Sequence, residues 1–394
     1  MKLYKYIKNY NGYFYISYLC LIVLMYTLES INISYNPIVH DIILFLSLFF
    51  LGLYALTSYS KYNNILVRSL FVFIAILYYL ITRETVFSIV ILTVALSNKI
   101  NIMQVMKILA IEKLILFITS TLLSILHFIP FTIIQSERGI RYGFGYSHPN
   151  IFALEAFVIL LLFYMIIDNK LNFIKKNIIF LLLSIAVYYF TQTRTTFVLS
   201  IVTIILFCCL KLNNKKVFNL LRYVPILCFV FSIFFSWAFT LKNNNFLFQN
   251  ILESIDSLFS HRFLLGSICF NEFPISIFGG DLNLEILSSK YSYPIIDNGY
   301  IYILFSFGVL SCLILLLWYT YTLNYFIEKQ NYKFAIFISI FLIVAISENI
   351  LRSLSINFSV LFCSVFFNSF NLDNYLKNKF IHLNKLRRIT NHDT

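Results

Sequence analysis

Apolar runs recur along the whole chain, most of them long enough to cross a bilayer and each ended by a polar turn, and this pattern decides what the chain can fold into. The runs fall near 12–29, 38–57, 64–82, 84–97, 106–130, 148–168, 174–191, 195–211, 221–240, 295–322, 332–348 and 352–370. A membrane helix needs about 20 mostly apolar residues, and roughly 17 suffice; the run 84–97 is the one clearly short member. The expected fold is an all-α polytopic integral membrane protein with about 12 transmembrane helices. Residues 1–370 form one membrane domain, and 371–394 form a basic cytoplasmic tail.

Composition removes the alternatives. The chain is 60% hydrophobic and 12% charged, against about 45–50% and about 25% in soluble domains. Too little polar material remains to coat a water-soluble surface, which excludes an ordinary soluble enzyme, a nucleic-acid-binding domain and a disordered chain. The net charge of +13 therefore calls for the positive-inside rule rather than a nucleic-acid partner.

With the N-terminus cytoplasmic, the cytoplasmic segments hold 21 of the 30 Lys and Arg residues. Every cytoplasmic loop is then basic. Dropping 84–97 would reverse each later loop and break the pattern, so the short run counts as a span and both termini lie inside. The two sides also differ in kind. The inside carries 17 Lys and 4 Arg, the outside 6 Arg and 2 Lys. Orientation alone is served by either residue, whereas a phosphate or carboxylate held by a planar fork favours Arg. The outer Arg residues are either scattered interfacial anchors or a basic site for a phosphorylated ligand.

Most loops are short. The exception is an extracytoplasmic segment, about 241–294, between spans 9 and 10, and a loop of that length is more often functional. It contains an expected amphipathic helix, FLFQNILESIDSLFSHRFLLGSICF, followed by the turn FGGDLN. The N-terminus has a basic start and an apolar run but no small-residue cleavage site, and reads as an uncleaved first span. The seven Cys show no metal or redox spacing.

Four constellations can carry chemistry. The first is Glu137, Arg138 and the run RYGFGYSHPN, with Arg141, Gly143, Gly145, His148 and Asn150. Its glycines permit close backbone approach, and Pro149 suits the first turn of a helix whose free N–H groups favour phosphate. The second is TQTRTTF, in which Thr193, Arg194 and Thr195 can bind an anion or sugar, unless Arg194 simply snorkels to the headgroups. The third is His261 with Arg262, then Gly279, Gly280 and Asp281, then Asp297, Asn298 and Gly299; a His beside an Arg suits a proton carrier and an anion clamp. The fourth is Glu348, Asn349 and Arg352, where Glu348 and Arg352, four apart, pair on a continuing helix. No Asp-x-Asp motif indicates a metal, and no cofactor is expected.

The order of these features resembles the O-antigen polymerase and ligase superfamily, most closely the Wzy-type polymerases of capsule and exopolysaccharide clusters. The resemblance rests on GFGYSHPN before a span, the TRT turn, the long external loop with HR and a later GG, and DNGYIYILFSFG opening the next span. It runs from about Arg138 to Gly308. It implies a GT-C-like bacterial inner-membrane glycosyltransferase without a metal, working at the outer face on a polyprenyl-diphosphate-linked oligosaccharide. The glycan passes to the non-reducing-end sugar of another lipid-linked repeat unit. Arg141, Arg194 and Arg262, supported by Arg138, would stabilise the departing diphosphate. His261, His148 and Glu137 are the candidate bases. Gly143, Gly145, Asn150, Thr193, Thr195, Gly280, Asp297, Asn298 and Arg352 complete the expected substrate-binding set. Membrane lipid, a flippase and a chain-length regulator are the expected partners. A flippase or transporter is the rival from another class, since 12 spans with both ends inside is a common transporter plan. Against it stand the lack of similarity between halves and the external position of the longest loop. The ligase branch of the same superfamily is the second rival.

Overall fold

A computed structural model describes residues 11–31, 36–59, 64–98, 100–136, 139–167, 172–212, 215–241, 246–280, 282 and 296–369. The tail 371–394 and the greater part of 281–295 lie outside the described residues. The chain is a multi-pass membrane protein of helices. In order these are α1 (Asn11–Ser30), α2 (Pro37–Ser58), α3 (Ile65–Thr82), α4 (Thr85–Leu96) and α5 (Ile102–Ile125). A hairpin of β1 (Ile133–Ser136) and β2 (Gly139–Tyr142) follows, then α6 (Pro149–Ile166), α7 (Phe173–Thr191), α8 (Arg194–Lys211), α9 (Lys215–Leu221) and α10 (Val224–Ala238). The last part holds α11 (Phe246–Leu258), α12 (Arg262–Glu272), α13 (Gly299–Ser306), α14 (Gly308–Glu328) and α15 (Tyr332–Val344). A 3-10 turn (Phe358–Cys363) and α16 (Ser364–Ser369) close it.

Among the described residues 8 helices are long and apolar enough to span a bilayer, and four shorter apolar helices accompany them. Burial sorts them into layers. In α6, 72% of the apolar stretch is buried, against 17% in α2 and α7. The outer helices instead expose large apolar side chains such as Phe45, Leu56 and Leu66. Helices apolar all round need lipid on the face that no neighbour covers. The core is formed by α6, α14 and α15 together with the 3-10 turn.

Two buried cations are matched within the bundle. Lys113 of α5 forms an ion pair with Glu155 of α6, both side chains almost fully buried. Arg68 of α3 donates to the carbonyls of Ala95 (2.5 Å) and Ser97 (2.6 Å) and to Asn368 Oδ1 (2.8 Å). At about 1.5 Å per residue α4 is far too short for a bilayer of about 30 Å. Arg68 satisfies carbonyls at the α4 end that have no partner within their own helix.

The structure departs from the apolar runs in three places. The run 295–322 is not one helix: it breaks at Phe307, and Gly308 follows at φ +79°. The segment 276–280 fills the break. Val309 N–H donates to Ser276 O (3.0 Å), Leu310 N–H to Ile277 O (3.1 Å) and Gly280 N–H to Phe305 O (3.0 Å). Backbone groups freed by a break in an apolar helix must find such partners. The expected amphipathic helix is also two, because Ser260 and His261 both adopt positive φ between α11 and α12. The last run forms turns until Phe358. The β-hairpin was not anticipated.

Candidate functional site

The ends of several helices meet around RYGFGYSHPN. The hairpin pairs Ile134 with Arg141. The chain then turns through Gly143, whose carbonyl accepts from Tyr146 N–H at 2.9 Å. Ser147 N–H donates to Ser30 O (3.0 Å), tying the turn to the end of α1. Both glycines serve the turn. A Cβ on Gly143 would press on Thr132 and the Tyr146 carbonyl, and one on Gly145, at φ +88°, would meet Ile129 and Ser124. Both positions are too closely packed for a side chain.

Among the described residues Arg141 donates to three neutral acceptors. Its Nε donates to Thr191 O at 2.8 Å, and one terminal nitrogen donates to Asn150 Oδ1 (2.5 Å) and Thr193 Oγ1 (3.3 Å). Thr193 Oγ1 lies 3.2 Å from the same Asn150 oxygen. The guanidinium thus joins the start of α6 to the start of α8, where helix dipoles present positive ends.

His148 caps α6: its Nδ1 accepts from Asn150 N–H at 3.1 Å. That bond places the imidazole proton on Nε2. Burial, then the charges of Arg141 and Arg262, push His148 down to about 4. It is therefore neutral at pH 7 and offers a hydrogen-bond donor. This removes it as a base in the capped state.

Arg262, the first residue of α12, is buried and forms an ion pair with Asp297. Among the described residues its buried Nε has no hydrogen-bond partner, and neither has Asn298 Nδ2. Asn298 Oδ1 caps α13 by accepting from Tyr300 (3.1 Å) and Ile301 (3.2 Å) N–H groups. Gly299 N–H donates to Ala345 O at 2.8 Å, and its Cα sits so close to the Ala345 and Glu348 carbonyls that a side chain would crowd both. This close approach fixes Asp297 and Asn298 beside Glu348.

Glu348 was expected to pair with Arg352. It does not, because α15 ends at Val344 and the chain turns. Glu348 instead accepts from Thr195 Oγ1 (3.4 Å). Burial raises its carboxyl, and Arg262 opposes the rise. Arg352 donates to Tyr302 OH (2.7 Å) and lies over its ring at 4.5 Å. The cluster thus contains Arg141, His148, Asn150, Thr193, Thr195, Arg262, Asp297, Asn298 and Glu348.

Other expected members lie elsewhere. Arg194 is exposed on the first turn of α8. His261 is largely exposed, with Nδ1 3.3 Å from Asp256 Oδ2. Burial raises Asp256, while N–H bonds from Phe263 and Leu264 and the neighbouring His261 hold it down. Gly280 has open space where a side chain would stand. Glu137, Arg138 and Asp281 lie outside the described residues. Sequence reasoning missed Asp256, whose signal was an acidic residue shortly before a helix start, and undervalued Glu348, an acid in an apolar run. Among the described residues no cluster of three or more His, Cys, Asp or Glu is placed to hold a metal.

Comparison of the chain with protein-family models, curated proteins and solved structures finds no match.

Proposed function

We propose that the chain is a repeat-unit polymerase: a membrane glycosyltransferase that moves a glycan from polyprenyl diphosphate to a sugar hydroxyl of a second lipid-linked unit. The observation that carries this reading is that Arg141 and Arg262 both lie close enough to His148 to act on its charge, in a cluster built from helix starts. Such a cluster offers preorganised donors where a diphosphate gains charge.

In this reading a bond forms between the acceptor oxygen and the anomeric carbon, and the bond from that carbon to the diphosphate oxygen breaks. Arg141, the unpaired Nε of Arg262 and Nε2–H of His148 meet the departing diphosphate. Glu348, raised by burial and set 3.4 Å from Thr195, takes the acceptor proton. A carboxyl with a raised pKa suits a general base near neutral pH. His261 and Arg194, both exposed, serve substrate approach at the margin.

The proposal includes a GT-C-like arrangement in which the 8 long helices and the four shorter apolar ones, α4 among them, make up 12 crossings. It places both termini in the cytoplasm and this cluster at the outer face of a bacterial inner membrane. A flippase and a chain-length regulator would work beside it. Deletion followed by sizing of surface glycan and lipid-linked intermediates tests it, with Arg141→Ala and Arg262→Ala tested by complementation. Single units exposed on the outer leaflet support a polymerase. Units trapped on the inner leaflet indicate a flippase, and long lipid-linked chains awaiting an acceptor indicate a ligase.

A further inference from the structure

Beside the buried cluster lies a cleft of about 680 Å³. Its walls come from the α3–α4 turn (Thr82, Arg83, Glu84), the glycine turn (Gly279, Gly280), Tyr302 and Ser306 of α13, and Asn349 with Arg352. Two stretches of chain serve both sites. Asp297 and Glu348 belong to the buried cluster, while their neighbours Ile296 and Asn349 line the cleft. The two sites share a wall.

The lining has a definite chemistry. Arg83 and Arg352 supply two cations to the lining and Glu84 one carboxylate, with Glu29 within electrostatic reach of Arg352, so the cleft favours a singly charged anion over a multiply charged one. A diphosphate would meet Glu84 as a like charge, whereas a carboxylate readily accepts hydrogen bonds from sugar hydroxyls. Two polar atoms also await partners. Ser306 is 8% exposed, and among the described residues its Oγ has no hydrogen-bond partner and neither has the buried Asn349 Oδ1. Buried polar groups left unpaired in this way are costly unless something fills them. Arg83 caps α3 in the left-handed conformation at φ +57°, a position where glycine is the usual residue. An arginine there places a guanidinium on the cleft.

We infer that this cleft binds an acidic saccharide: a sugar whose carboxylate sits between Arg83 and Arg352 and whose hydroxyls engage Ser306, Asn349 and Glu84. That the sugar belongs to the acceptor, presented across the shared wall to Glu348, rests on the polymerase reading. The acidic-saccharide site itself does not.

The test uses the full chain in lipid nanodiscs and calorimetric titration with three probes: a glucuronic-acid disaccharide, its carboxyl-reduced counterpart and inorganic pyrophosphate. The acidic disaccharide binds saturably, and carboxyl reduction weakens it about tenfold, as loss of a charge-assisted contact requires. Arg83→Gln, at an exposed position, and Arg352→Gln each weaken it about as much. Ser306→Ala weakens it less. Equal binding of the neutral sugar, displacement of the disaccharide by pyrophosphate, or no saturable binding would each overturn the inference. If the chain proves to be a flippase while the acidic sugar still binds here, the polymerase reading fails and the site stands.

Discussion

Asn150 and Thr193 share one guanidinium nitrogen: Arg141 Nη2 donates to both, and the two side chains lie 3.2 Å apart. Residues 43 apart in the chain are thereby held as one acceptor surface for a single fork. Arg141→Lys keeps the charge and loses the fork. Glycan output at matched protein level should fall about 10²–10³-fold, nearly as far as with Arg141→Ala. Normal polymer from the lysine variant would show that charge alone suffices.

The buried pair of Arg262 and Asp297 gives a separate prediction. Asp297→Ala takes the ion-pair partner from a buried guanidinium and leaves it Glu348 as the remaining nearby carboxyl, so it should cost up to about 3–5 kcal/mol, read as a lower melting temperature in detergent. Replacing both residues, as Arg262→Met with Asp297→Leu, should recover much of that stability and yield no polymer. A double variant as unstable as the single one would remove charge burial as the cause.

His148 sets a pH dependence. Its folded-state value, about 4, lies below its ordinary value near 6.5. Between those values the unfolded chain holds more protons than the folded one. Stability is therefore complete above about pH 6.5 and declines as pH falls toward about 4. His148→Asn keeps a capping acceptor and removes the titration. Melting curves across this window should show a shallower slope for the variant; parallel slopes would assign the dependence to another group.

Two adjacent glycines should behave oppositely. A Cβ on Gly279 would collide with the Ser306 carbonyl, whereas Gly280 has open space around its Cα. Gly279→Ala should accumulate poorly in the membrane while Gly280→Ala expresses normally. Equal yields would mean that the break at Gly308 relaxes to admit a side chain.

The helices were readable because membrane spans advertise themselves by length and composition alone. The break at Phe307–Gly308 was hidden, since Phe, Ser and Val continue the apolar pattern across it and only the backbone changes course. In the site, GFGYSHPN correctly marked a capped helix start beside Arg141. Sequence does not reveal that Thr132 and Ser124 press against the two glycines of that turn. Glu348 and Arg352 were paired by helical spacing, a rule that lapses once α15 ends at Val344. His261 and Arg262 are neighbours with opposite fates, one exposed and one buried, because a helix start directs successive side chains apart.

The ion pair of Lys113 with Glu155 bears on how the protein is made. Each group alone is costly within a bilayer. The two occupy consecutive spans, α5 and α6, 42 residues apart. A lysine delivered to the membrane first must wait for its acid, so entry as a helical hairpin, with the charges already matched, is the cheaper route during biosynthesis. A chain interrupted between these spans would leave Lys113 facing lipid and become a natural target for membrane quality control.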